Sequence, residues 1–236
     1  MNLILLREGD FIGGTARVRL EGRRLRHIRE VHRASVGDEL CVGLAGGLIG
    51  GGVVVSADEA AVEMDVRFSY GPPAPLPVTL LLALPRPKVL RRVLIAAVSM
   101  GVKKIILINS FKVEKSYWQS PALQAESIEK QLILGLEQAR DTIMPEVLLR
   151  HLFKPFVEDE LPEIMGGTFP LLADPAAGAP YPRTVGRPVT LAVGPEGGFT
   201  PYEVEKLISC GFSSVTLGER ILRVETVVPA LLSRLF

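Results

Sequence analysis

The 236-residue chain has few of the residues that staple small folds or hold metals: two cysteines and three histidines. Cys41 and Cys210 lie in different contexts and match no CxxC spacing, which excludes a disulfide framework and a zinc ribbon. Both read as ordinary small hydrophobes, on the frequency of buried free cysteine. His27, His32 and His151 join them at no metal-ligand spacing, so no metal is expected. Long apolar runs are also missing. The longest, Val78 to Leu84 and Leu94 to Met100, fall far short of the roughly 18 residues a membrane helix needs. Met1 to Leu6 runs straight into Arg7, Glu8 and Asp10, without the basic start and long apolar stretch of a secretion signal. A soluble cytoplasmic protein without membrane contact is expected. Charge of one sign is not in excess either, since 27 Lys and Arg stand against 26 Asp and Glu. Near-half apolar content, 47%, suffices for a buried core and excludes disorder.

The near-neutral mean hides a local cluster. Arg17, Arg19, Arg23, Arg24, Arg26, Arg29 and Arg33, with His27 and His32, share a segment whose only acids are Glu21 and Glu30. Such a cluster is an electrostatic footprint for phosphates, and Arg23, Arg24, Arg26, His27 and Arg29 are its candidate RNA contacts. A solvated helix face is the alternative.

Gly71 to Pro77 carries four prolines in seven residues, which forbids a helix interior and predicts a linker over 72–77 between domains at 1–71 and 78–236. Before it, short apolar stretches alternate with turn residues: 3–6, 16–20, 39–44, 48–55 and 61–68. In the last, Val62, Met64, Val66 and Phe68 recur with period two, as on a half-buried strand. Leu25, Ile28 and Val31 recur at helical spacing within the basic segment. The first domain therefore reads as a small β-barrel with one basic helix. Glycines 43, 46, 47, 50, 51 and 52 meet neither the P-loop nor the GxGxxG spacing and read as hairpin turns.

After the linker, strands alternate with helices. Strands are expected at 78–84, 104–109, 169–173, 189–193 and 212–217, and helices at 87–100, 121–140, from Thr200 to Gly211, and over 221–235 with Pro229 as a kink or true start. Continuous apolar strands between helices indicate a parallel sheet covered on both faces. Thr200-Pro201-Tyr202-Glu203 is a capping signal: threonine as N-cap, proline in the first turn, glutamate three residues on.

Two loops follow strands and combine glycine with charge: Gly194-Pro195-Glu196-Gly197-Gly198-Phe199, and Leu217-Gly218-Glu219-Arg220-Ile221-Leu222-Arg223. Ligands of open α/β sheets bind outside the carboxyl ends of strands, where glycine lets the backbone come close. A Rossmann enzyme would instead show GxGxxG after the first strand, where Leu84-Pro85-Arg86-Pro87-Lys88 stands.

Gly194 to Thr200 with Glu203, followed by Leu217 to Arg223 with Glu225 and Thr226, resembles the signature of the RsmE family of SPOUT methyltransferases. The basic segment Leu25 to Val31 resembles the family's amino-terminal domain. The resemblance implies an α/β, trefoil-knotted SPOUT methyltransferase domain preceded by a PUA-like β-barrel, acting as a homodimer. It implies transfer of a methyl group from S-adenosylmethionine to N3 of a uridine in the 16S rRNA decoding region of the small ribosomal subunit. Leu172, Gly194, Pro195, Glu196, Gly197, Gly198, Leu217, Gly218, Ile221 and Leu222 are the implied cofactor residues. Uridine N3 must lose a proton before it attacks, so a base or a charge-stabilising cation is needed. Arg220, Arg223 and Glu196 are the catalytic candidates, with Glu225 as a further carboxylate. Ordinary ion pairing of the arginines and a structural role for Glu196 stay open. The chain departs from family patterns at Ile95 to Gly101 and at Glu137 to Asp141. Methylation at another rRNA site and a non-catalytic ribosome-binding module are the competing readings.

Overall fold

A computed structural model describes residues 2–235. Met1 and Phe236, the outer ends of the two expected domains, lie outside the described residues. The chain forms two compact units, one of Met1–Ala74 with Leu136–Met144, the other of Pro75–Gly135 with Pro145–Phe236.

The first unit contains β1 (Ile4–Leu6), β2 (Arg17–Leu20), α1 (Gly22–His27), β3 (Glu39–Leu44), β4 (Ile49–Ala57) and β5 (Val62–Tyr70). Its sheet runs β1-β3-β4-β5-β2, with β1 parallel to β3 and the other pairs antiparallel. The period-two pattern of β5 does its work: Val62, Met64 and Val66 enter a core with Leu6, Val18, Leu20 and Ile28. Each such side chain contributes roughly 1.5–3 kcal/mol on burial.

Three details depart from the sequence pattern. Only Gly46 and Gly47 belong to a hairpin turn. Gly43 lies inside β3, and Gly50 to Gly52 lie inside β4, where a side chain on Gly50 would run into the Arg67 carbonyl of the neighbouring strand. Close approach, rather than turning, requires that glycine. Val31 is 63% exposed although Leu25 and Ile28 are buried. After α1 the chain widens into a π turn at Ile28–His32, which rotates position 31 off the core face.

The second unit contains β6 (Leu76–Ala83), α2 (Pro87–Ser99), β7 (Val102–Ile108), α3 (Ala125–Ala139, its last residues counted with the first unit), β8 (Glu146–Arg150), short helices α4 (Phe153–Pro155) and α5 (Leu161–Ile164), β9 (Phe169–Ala173), β10 (Val189–Val193), α6 (Pro201–Ser209), β11 (Ser213–Val215) and α7 (Val224–Leu235). Six strands make one sheet, β11-β9-β10-β6-β7-β8, and every pairing is parallel. All five residues of β10 are buried, as helices on both faces demand.

Helix 121–140 is shorter than its pattern, because Ser120 caps a 3-10 turn at Pro121–Leu123 and α3 starts only at Ala125. Strand β11 is trimmed to three residues, and α7 begins at Val224 with Pro229 inside it. Residues 217–223 are thereby left as loop. The Pro-rich stretch yields to β6 from Leu76 onward.

Candidate active site

The chain leaves β6 in two directions, through β7 and β8 on one side, then through β9, β10 and β11 on the other. The reversal lies between β6 and β10, and the carboxyl ends there open into a cavity of about 730 Å³. Its walls are Arg86 and Val89 after β6, Ala173 to Ala176 after β9, Val193 to Phe199 after β10, and the chain from Val215 into the start of α7.

The glycine loop after β10 is pinned at both ends. Gly198 has φ +67 and donates to the Pro195 carbonyl at 2.8 Å, closing a tight turn that other residues resist. A Cβ on Gly194 would stand 3.0 Å from the Phe199 amide nitrogen. Glu196 Oε1 accepts from the Arg86 backbone N–H at 2.9 Å, and Lys112 Nζ donates to the Gly197 carbonyl at 2.6 Å. The loop is thus tied to the segments that follow β6 and β7. It ends in the expected capping box: Thr200 Oγ1 accepts from the Glu203 amide at 3.3 Å, and Glu203 Oε2 accepts from the Thr200 amide at 2.8 Å.

The second loop is held more lightly. Gly218, at φ +122, donates to Thr216 Oγ1 at 3.2 Å. Ile221 is 81% exposed at the cavity edge, and Arg220 and Arg223 are exposed beside it. Glu225 also lines the cavity and faces Arg92 at 3.6 Å.

The structure gathers Gly194, Pro195, Glu196, Gly197, Gly198, Leu217, Gly218, Arg220, Ile221, Leu222 and Arg223 around this one cavity. Leu172 stands apart, fully buried inside β9, and Ala173 and Asp174 form the wall one step further along. Three contributors escaped the motif reading. Asp174 accepts from Ser214 Oγ at 3.1 Å and from the Ala176 amide at 2.9 Å. Arg86 has its guanidinium pKa raised by a hydrogen bond to the Tyr117 phenol and by the nearby Glu196 charge. Lys112 is the third. Asp174 and Arg86 follow the carboxyl ends of β9 and β6, so the strand-end rule alone would have found them.

The basic segment of the first unit is less free than its composition suggests. Arg17 and Arg19 pair across the ladder with Asp65 at 2.8 Å and Glu63 at 3.3 Å. Arg23 forks onto both oxygens of Glu137 at 2.9 Å, and Arg24 Nη2 meets Asp10 Oδ1 at 2.6 Å. The acids come from distant sequence, where a local count of Glu21 and Glu30 misses them. Arg26 and Arg29 remain exposed, Arg29 reaching the Asp58 carbonyl at 3.4 Å. His27 packs edge-on against His32 at 4.9 Å.

A glycine-walled cavity at the switch point of a covered parallel sheet defines an α/β protein with the strand-end crevice in which such sheets place small ligands. Residues 72–236 match the family model described as RNA methyltransferase domain, and the chain belongs to that family. It is 28% identical over 240 residues to the ribosomal RNA small subunit methyltransferase E of Treponema pallidum (strain Nichols), covering 98% of this chain and 88% of that protein. A ribosomal RNA small subunit methyltransferase E from Neisseria gonorrhoeae, solved bound to S-adenosyl methionine, matches with TM-score 0.75 and 21% identity over 99% of this chain and 95% of that one. A probable rRNA-methyltransferase from Porphyromonas gingivalis matches with TM-score 0.72 and 24% identity, over 98% and 95%. The fold is shared with both structures. Among the described residues no helix is long and apolar enough to cross a membrane.

Proposed function

We propose that this chain transfers the methyl group of S-adenosylmethionine to N3 of a uridine in the decoding region of 16S rRNA, as a cytoplasmic homodimer. The observation that carries the reading is the cavity in which both motif loops meet. Its residues fit the cofactor. Gly194 lets the loop close tightly, since a Cβ there would crowd the Phe199 amide and the Gly198 Cα, and Gly198 presents bare backbone, with nothing within 4 Å of where a Cβ would stand. Val193, Leu217 and Leu222 offer an apolar bed, and Asp174 a carboxylate within the wall.

When bound, the cofactor supplies an electrophilic methyl group on a sulfonium. The chain's own task is to orient the uracil, exclude water and favour loss of the N3 proton. Arg220 and Arg223, at the rim, stabilise the negative charge that spreads onto the uracil oxygens. Glu196 positions the loop through the Arg86 amide. In the first unit, Arg26 and Arg29 are the exposed cations for phosphate contact, whereas Arg23 and Arg24 hold the unit together.

Three finer features belong to this reading. A knot is supported by the β9–β10 connection: Tyr181 donates to the Thr216 carbonyl at 2.7 Å, and Thr184 and Val185 donate to Arg234 and Leu235 at 3.0 Å each, so that connection lies against the later chain. A PUA-like barrel is supported by the five-stranded mixed sheet and its inserted helix. A homodimer is what the family resemblance implies, and the adjacent exposed side chains of Ile221 and Leu222 are the apolar surface a second copy would cover.

Calorimetric titration with S-adenosylmethionine tests the site. The wild type should bind, and Gly194→Ala should bind about ten-fold or more weakly with an unchanged far-UV spectrum, since crowding a packed turn costs roughly 1–3 kcal/mol. Equal affinity of the two, or no binding by the wild type, contradicts the assignment.

A further inference from the structure

A second cavity, of about 810 Å³, opens at the carboxyl ends of β7 and β8 beside the start of α6. None of its residues belongs to the motif loops up to Phe199, yet Thr200 lines it and Phe199 lines the first cavity. The same loop therefore forms a wall of both. The rings of Phe153 and Phe199 lie 6.3 Å apart across that wall.

The lining is aromatic. Trp118 lies against His151 with centroids 4.1 Å apart, and its indole N–H is fixed by Asn109 Oδ1 at 2.8 Å. Phe111 presents its ring 85% exposed, and Tyr202 is 51% exposed. Large apolar rings left open in a concavity mark a contact surface. Lys115 and Lys154 stand in the same lining. Ser110, also in the wall, is 3% exposed and its Oγ has no hydrogen-bond partner. Flat rings, flanking ammonium groups and an unused buried hydroxyl match one chemistry: a planar heterocycle with a polar edge, carried on a phosphate chain.

We propose that this cavity is a base-binding subsite that takes one unstacked nucleobase of the RNA, next to the nucleotide presented to the first cavity. Phe111 and Trp118 stack on the base, the Ser110 hydroxyl meets its edge, and Lys115 and Lys154 hold the phosphates on either side. The proposal rests on the reading of the chain as an RNA methyltransferase and adds a second anchoring point to it. Gripping a neighbouring base fixes the register of the strand, which positions the reacting base.

Trp118 is the only tryptophan of the chain, so its fluorescence reports on this cavity alone. Titration of the full chain with a single-stranded uridine-rich oligoribonucleotide should quench that emission saturably, while S-adenosylmethionine alone should not. Phe111→Ala should weaken oligonucleotide binding roughly ten-fold, and Lys115→Ala should lower the salt slope by about 0.7. Calorimetry with S-adenosylmethionine on the same samples reads the methyl-transfer site separately. Oligonucleotide binding that leaves Trp118 emission and the Phe111→Ala affinity unchanged overturns the subsite. Emission that responds to small-subunit ribosomal proteins but not to RNA overturns it too, making the occupant a protein.

Discussion

The Glu203 carboxylate, 3% exposed, accepts from the Phe111 amide at 2.7 Å and from the Thr200 amide and hydroxyl at 2.8 and 2.9 Å. One side chain thereby caps α6 and fastens the segment after β7. The cap was legible in Thr200-Pro201-Tyr202-Glu203, because capping chemistry is local. The bond to Phe111 was not, because it joins residues 92 apart in sequence. Glu203→Ala leaves buried donors without an acceptor and should cost roughly 2–3 kcal/mol in urea unfolding. A change below about 0.5 kcal/mol, the range of ordinary surface substitutions, would show that the carboxylate is dispensable.

Strands with two buried faces announced themselves as apolar runs, and β6, β7, β9 and β10 were read from them. Strand β8 escaped because its residues are at most half-buried at the sheet edge. The basic element α1 was legible as a helix, but its partners were not. Glu137 in α3 is fully buried under Arg23, and Asp141 just beyond is 1% exposed, so part of the divergent stretch 137–141 serves packing in the first unit. The two kinds of arginine on this element should separate cleanly. Arg23→Ala strands a buried carboxylate and should destabilise by about 3 kcal/mol. Arg26→Ala should leave stability within about 0.5 kcal/mol yet reduce the salt slope of RNA binding by roughly one. Paired urea melts and salt-dependent binding curves check both, and an RNA defect in Arg26→Ala explained wholly by unfolding would refute the division.

At the scale of the molecule, the groups shifted at and below neutrality point one way. Burial lowers the pKa of His27 and of His32 from the ordinary 6.5, so the folded state binds fewer protons there than the unfolded chain. Their contribution is fully present above pH 6.5 and is lost as pH falls below it. Asp58, under the Ala61 and Ala60 amides, Asp65, beside Arg17, and Glu158, beside Lys206, are also lowered. Their stabilisation is present above the ordinary carboxylate range and lost as pH drops through it. Thermal melts should be flat between about pH 7 and 9, below the ordinary tyrosine and lysine range, and decline in two stages on acidification, with His27→Gln and His32→Gln together removing the first. A melting temperature that rises on acidification would contradict these signs.

Fold class and the two strand-end glycine loops were readable because a covered parallel sheet and a tight strand-end turn each impose composition on contiguous residues. The passage of the β9–β10 connection against residues 216 and 234–235 leaves no such local mark. The central claim, methyl transfer to ribosomal RNA, is tested most directly by mapping modified nucleotides in 16S rRNA from cells lacking this protein, before and after small subunits are treated with purified protein and S-adenosylmethionine. One N3-methyluridine should be missing from the untreated RNA and restored by the treatment. An unchanged modification pattern in both samples would contradict the account.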